Sequence, residues 1–356
     1  MQIINKFLKL KKVYIYIFSY VLFIIIFSTS LLKANTFKVS DIEISSAFDL
    51  NFSKSRVIDD GFRESFYNLL SMITTSGDRN KIKNISLKEL KSMIDTFTIS
   101  DEKFINNEYF AKLESSFNKK KTLSFLEKKN IFPSIPTRNQ ILLIPIFVDS
   151  QNEKIYLFTE NFFYNKWNEN KINYHLLDYL LPTEDLEDIS MIQGIYNTIE
   201  NYDFIDLIKK YDLQDYIVSI IFKNKNEIKV LSKISLNNSF KIDNRKYKIT
   251  NEENFSAILK DLKNIYEDYW KKENQINTSI KLPLTITIDT KEYEKIVKLE
   301  KTLNNLDLVS NFYILRFNNK NTYYKIIYNG SPKTFYNDIT KKNFKLTMEN
   351  NIWAIR

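Results

Sequence analysis

The sequence predicts an α+β protein in which two βαββαβ units, one at each end, flank a middle α+β domain with an antiparallel meander, all behind an apolar leader. Three observations predict this. Short runs near 37–44 and 282–288 alternate apolar and polar residues, while runs between them repeat apolar residues every three or four. The order strand, helix, hairpin, helix, strand occurs twice. An apolar stretch, Val13–Phe27, follows Lys6, Lys9, Lys11 and Lys12.

That stretch comes first in the chain. Basic residues, an apolar run and a small-polar patch, Ser28-Thr29-Ser30, ending near Ala34, have the order of a secretory signal. Extension from Val13 to Leu32 just reaches the roughly 20 residues that span a bilayer, so the segment is read either as a signal cleaved after Ala34 or as a membrane anchor. The basic residues lie on its amino-terminal side, which places Asn35–Arg356 outside the cytoplasm in both cases: periplasmic, or anchored to the inner membrane and facing the periplasm. The expected divisions are 1–34 for the leader, 35–149 for the first βαββαβ-like unit, 150–274 for the middle domain and 275–356 for the last unit.

In the first unit Phe37, Val39, Ile42 and Ile44 alternate with one skipped step near Ser40-Asp41, a strand with a bulge. Ile58, Phe62, Phe66, Leu69 and Ile73 stripe a helix from about Ser53 to Thr75, with Gly77 expected to cap its end. Arg56/Asp60 and Asp59/Arg63 have the spacing of helical ion pairs. Gly61 inside the helix implies close packing of its backbone on a sheet. Ser86-Leu87-Lys88-Glu89 reads as a capping box, and Asn106-Asn107 as a tight hairpin between Phe97–Ile105 and Glu108–Phe117. Asn118 caps a helix over 119–129, after which Ile141–Val148, apolar on both faces, is a buried central strand taken to complete the unit. In the middle domain Leu186 to Ile199 stripe one helix, 216–222, 227–236 and 240–250 form the meander, and 252–272 a long helix. The polar stretch 273–279 is the expected linker. The last unit repeats the first: a strand at Leu282–Ile288, a helix through Leu299 and Leu303, a hairpin, a helix opened by Ser331-Pro332, and closing strands around Asn350-Asn351. This element order fits the split βαβ of ferredoxin-like domains.

Composition narrows the function. The formal charge of +9 falls to about +4 without the leader's lysines, and no aromatic-basic strand of the RNA-binding type is present, so a nucleic-acid partner is not expected. The chain has no cysteine, which excludes disulfides, thiol catalysis and Cys/His metal clusters, and His175 is its one histidine. Its four glycines stand far apart, so no phosphate-cradling loop can be written. No cofactor and no metal is expected.

What remains for chemistry is carboxylates. Asp178, Glu184, Asp185, Glu187 and Asp188 gather around Leu181-Pro182-Thr183, and Asp178, Asp185 and Asp188 are the candidate catalytic residues of a hydrolase-like periplasmic enzyme. The competing reading has Thr183 capping a helix whose first turn attracts acids through its dipole. His175 and Trp167 read as packed side chains, and Lys119-Lys120-Lys121 as a solvated surface.

Phe37–Ile44 directly after the leader, Phe66–Leu70, Tyr109–Phe117 leading into Leu123–Ile131, Leu181-Pro-Thr-Glu-Asp185 and the closing Trp353-Ala-Ile-Arg356 together resemble an uncharacterised exported proteobacterial family known as a domain of unknown function. The resemblance implies an envelope location and brings no catalytic residues. The expected function is a noncatalytic scaffold or adaptor that binds another envelope protein through sheet edges or helix faces. The alternative is the carboxylate enzyme.

Overall fold

A computed structural model describes residues 36–82, 84–169, 174–250, 253–277, 280–306, 308–349 and 352–356. The expected signal or anchor, Val13 to Leu32, lies outside these residues. Among the described residues no helix is long and apolar enough to cross a membrane.

The chain is a mixed α+β protein, and its described strands form three sheets. The first holds β1 (Thr36–Ala47), β2 (Ile94–Ile105) and β3 (Glu108–Asn118) in the order β1-β3-β2, all antiparallel. β1 shifts register between Val39 and Ile42, and Asp41 takes the left-handed φ of 59° that this bulge needs. Asn106 and Asn107, with φ of 51° and 59°, make the tight β2–β3 turn. Helix α1 (Lys54–Ile73) starts where Ser53 Oγ accepts from the Arg56 amide, and it buries Phe62, Phe66, Leu69 and Ile73 on the sheet. At Gly61 helix and sheet approach closely: a Cβ there would stand 2.7 Å from Ile44 and 2.8 Å from Leu113.

Two local expectations differ here. The helix ends at Ile73 because Thr74 turns extended and its hydroxyl donates to Leu70 O, so Gly77 caps nothing and falls in the short helix α2 (Ser76–Arg79). Neither Arg56/Asp60 nor Asp59/Arg63 pairs. Asp59 instead meets Lys91 at 2.6 Å, from helix α3 (Leu87–Met93), whose cap Ser86 accepts from the Glu89 amide.

After α4 (Lys119–Lys128), capped by Asn118, the chain leaves the first sheet. β4 (Asn139–Asp149), expected to complete the first unit, lies in the middle sheet, where it pairs in parallel with β7 (Tyr216–Asn224), Leu142 opposite Tyr216. Its two apolar faces explain why. Ile141, Leu143 and Phe147 enter one core and Leu142, Ile144, Ile146 and Val148 another, so the strand needs helices on both sides, and the first sheet has helices on one.

The middle sheet runs β5-β4-β7-β8-β9, with β5 (Lys154–Tyr156) and β6 (Leu177–Leu180) both against β4, and the expected meander of β7, β8 (Glu227–Leu236) and β9 (Ser239–Lys248). One face is covered by α5 (Phe162–Lys166) and the long α8 (Glu253–Glu273), the other by α6 (Leu186–Gly194) and α7 (Ile205–Lys209). Trp167 is fully buried between Tyr179 and Tyr266.

The last sheet has the order β11-β12-β10-β14-β13. β10 (Leu282–Asp289), helix α9 (Tyr293–Asn305), β11 (Val309–Phe317), β12 (Asn321–Tyr328) and α10 (Pro332–Thr340) follow as expected, with Ser331 capping α10. The closing strands form a hairpin: β14 (Ile352–Ile355) lies parallel to β10, and β13 (Leu346–Glu349) lies outside it.

Candidate functional site

The three candidate carboxylates do not form one site. Asp178 is on β6, exposed, with Arg138 at 4.0 Å. Asp185 is the N-cap of α6: its Oδ1 accepts from the amides of Glu187 and Asp188, which holds its carboxyl below the usual range. Asp188 is buried and accepts from Lys210 Nζ at 2.7 Å, which raises the lysine above its usual value. Thr183, expected to be the cap, instead donates its amide to the Tyr211 hydroxyl at 2.9 Å. Among the described residues no group of three or more His, Asp or Glu is placed to hold a metal ion. Asp185 and Asp188 share Lys210, whose Nζ stands 3.8 Å from one and 2.7 Å from the other, so these two acids are brought together by a cap and a common cation, while Asp188 Oδ2 has no hydrogen-bond partner among the described residues.

Lys119 departs from the solvated reading. Its side chain is buried with Nζ 5.5 Å from the Phe37 ring centroid, and burial pulls its pKa down to about 8.

Two arrangements that local spacing did not reveal stand out in the structure. The first is a buried polar junction where the first sheet's helices meet α8. Glu267 and Lys271, one turn apart, keep side chains only 1% and 3% exposed, with Nζ 3.8 Å from Oε2. Glu267 Oε1 accepts from the amides of Leu176 and Leu177 at 2.8 Å each, and Lys271 Nζ donates to Ser71 O of α1 at 2.6 Å. Burial pushes the carboxyl up and the amine down. Around them Asp268 accepts from the Ser76 amide, Arg79 donates to the Ser71 hydroxyl, and the Ser134 amide donates to Ile73 O. His175, 8% exposed, lies beside this junction with Nε2 unpartnered among the described residues. Burial, then the positive charges of Lys271, Lys263 and Arg79, hold it neutral with a pKa of about 4. A carboxylate and amine closed off from solvent, tied to backbone groups through Glu267 Oε1 and Lys271 Nζ while Glu267 Oε2 has no hydrogen-bond partner among the described residues, brace two bodies of the chain. They present no face to a substrate.

The second is an open sheet edge. β1 hydrogen-bonds β3 on one side and no described strand on the other. Along that free side runs a groove of about 510 Å³ between Glu43–Ala47 of β1 and the Arg56–Glu64 face of α1, and no residue of β3 lines it. Ile44, Val57 and Gly61 contribute apolar floor, while Glu43, Asp60 and Glu64 are exposed acids with no ion pair among the described residues. In the last sheet the corresponding strand, the one followed by the long helix and flanked by the hairpin's second strand, is β10. Its second edge is taken by β14. The first sheet has no such strand, because β4 has gone to the middle sheet. A scan against protein-family models finds no match to this chain, and neither does a search of curated proteins.

Proposed function

We propose that this chain is a noncatalytic adaptor of the cell envelope, periplasmic or anchored to the inner membrane through Val13–Leu32, which binds an extended segment of a partner protein as an added strand on β1. The observation that carries this reading is the vacant edge of β1, twelve residues long and bordered by a groove, at the position that β14 fills beside β10. An exposed edge offers a row of backbone donors and acceptors, and side-chain pockets beside it supply selectivity. The acids of the groove favour a partner segment with lysine or arginine in it.

Both end modules are read as variants of the ferredoxin-like split βαβ plan. Its first three strands are present in each with the middle place taken by the hairpin's second strand, and the modules differ in what covers the first strand's outer edge. Export rests on the charge order of the leader and on the resemblance to the exported family. The carboxylate-enzyme reading gains little from geometry, since Asp178 pairs with Arg138 apart from the other two, and Asp185 and Asp188 share Lys210 while Asp185 is committed to capping α6.

In-cell crosslinking of the tagged full chain, followed by mass spectrometry, tests the proposal. A defined envelope partner recovered with the wild type and lost with Ser45→Pro, which removes one edge amide and clashes with an incoming strand, is the expected result. Equal recovery with both chains contradicts it.

A further inference from the structure

A different edge carries a second inference, independent of β1. β11 is the outermost strand of the last sheet and, among the described strands, pairs with β12 alone. Free edges are normally guarded by charges, proline or brevity. β2 has Asp95, Asp101, Glu102 and Lys103; β9 has Lys241, Asp243, Arg245, Lys246 and Lys248; β13 is four residues long. β11, with the sequence VSNFYILRF, has no lysine, acid or proline. Its one charge, Arg316, lies over the Tyr323 ring at 4.3 Å. Tyr313, Ile314 and Leu315 are each about half exposed and Phe317 is 75% exposed, while α9, which packs on β11, adds Tyr293 and Val297 to the exposed apolar surface.

We propose that two copies of this chain pair through β11, antiparallel, about a two-fold axis at Tyr313. Tyr313 is the midpoint of the strand, so this register overlaps all of Val309–Phe317. It sets Phe312 opposite Ile314, both on the helix-facing side, and Val309 opposite Phe317, with Arg316 opposite Ser310. No like charges meet. A slip of two residues one way puts Arg316 against Phe312, and the other way leaves Phe317 beyond the partner strand's end; a slip of one sends the apolar side chains to opposite faces. The axis falls within Asn311–Ile314, the regular stretch between the strand's two bulges. The six exposed apolar side chains amount to roughly 600–700 Å² per copy, close to the ~800 Å² per partner of a standard interface. A two-fold pairing also closes both edges at once, so association stops at the dimer.

The chain's lack of cysteine makes the test direct. Tyr313→Cys gives the full chain a single thiol, and side chains opposite each other at such an axis stand about 5 Å apart. With a short bis-maleimide in cells, Tyr313→Cys is expected to yield a band at twice the chain mass, while Met348→Cys on β13 of the same sheet stays monomeric. Sedimentation of the detergent-extracted full chain is expected to give a dimer for the wild type and at least tenfold weaker association for Leu315→Lys, with unchanged near-ultraviolet circular dichroism. A monomeric wild type overturns the proposal. So does a Tyr313→Cys thiol that reacts with a small maleimide yet never crosslinks to its twin, an adduct with a different protein in place of the dimer, or equal crosslinking from Met348→Cys.

Discussion

His175 should make the stability of this protein fall as the solution is acidified, and the size of the effect follows from its surroundings. In the unfolded chain it titrates near the ordinary 6.5; in the fold, burial and the cations Lys271, Lys263 and Arg79 hold it at about 4. Between those values the unfolded state binds a proton that the folded state refuses, so stability drops as pH falls below 6.5, by about 1.4 kcal/mol per pH unit. The loss reaches about 2 kcal/mol at pH 5 and on the order of 3 kcal/mol at its limit. Glu267 acts in the opposite sense: its carboxyl is raised in the fold, so the folded state takes up that proton first and gains stability on acidification. Comparing the wild type with His175→Gln isolates the histidine from that opposing contribution. Urea unfolding at pH 7 and pH 5 should show the wild type losing about 2 kcal/mol more than the variant. Equal losses, or a larger loss in His175→Gln, would refute the assignment of a neutral buried imidazole beside the junction.

Two further perturbations test the packing. Lys271→Met leaves Glu267 without its counter-charge and Ser71 O without its donor, and should cost about 3–5 kcal/mol in urea unfolding; a loss under about 1 kcal/mol would mean that the pair is not buried. Gly61→Val drives a side chain into Ile44 and Leu113 and should cost about 1–3 kcal/mol or more, whereas Gly77→Ala, with nothing within 4 Å of the added carbon, should leave the thermal midpoint almost unchanged; similar effects at both sites would contradict the close approach of α1 to the sheet.

Features that depend on a few adjacent residues were legible in the sequence. Ser53, Ser86, Asn118 and Ser331 each accept from an amide at the start of a helix, and Asn106-Asn107 takes the left-handed angles its composition allows. At 183–185 two residues able to cap stand close together, and Asp185 takes the role because it binds two amides while Thr183 is engaged by Tyr211. Partners across long separations were not legible. The doubly apolar run in β4 showed that it is central, but not that its neighbour is β7 rather than β1, a choice set by which sheet has helices on both faces. β5 and β6, three and four residues long, are too short to show a period. Glu267 and Lys271 have the spacing of a solvated helical pair; what buries them is a second body packed on α8, visible in the sequence only as an apolar stripe that widens at Tyr266 and Trp270. The vacancy beside β1 is equally hidden, since strand order in the sheet creates it.

The vacancy can be probed one residue at a time in living cells. A photoreactive amino acid in the full chain at Ser45, beside the groove, should give one defined protein adduct in the envelope fraction on illumination, and the same residue at Lys246, on the guarded edge β9, should give none. No adduct at Ser45, or the same adduct from both positions, would contradict a strand-accepting role for β1.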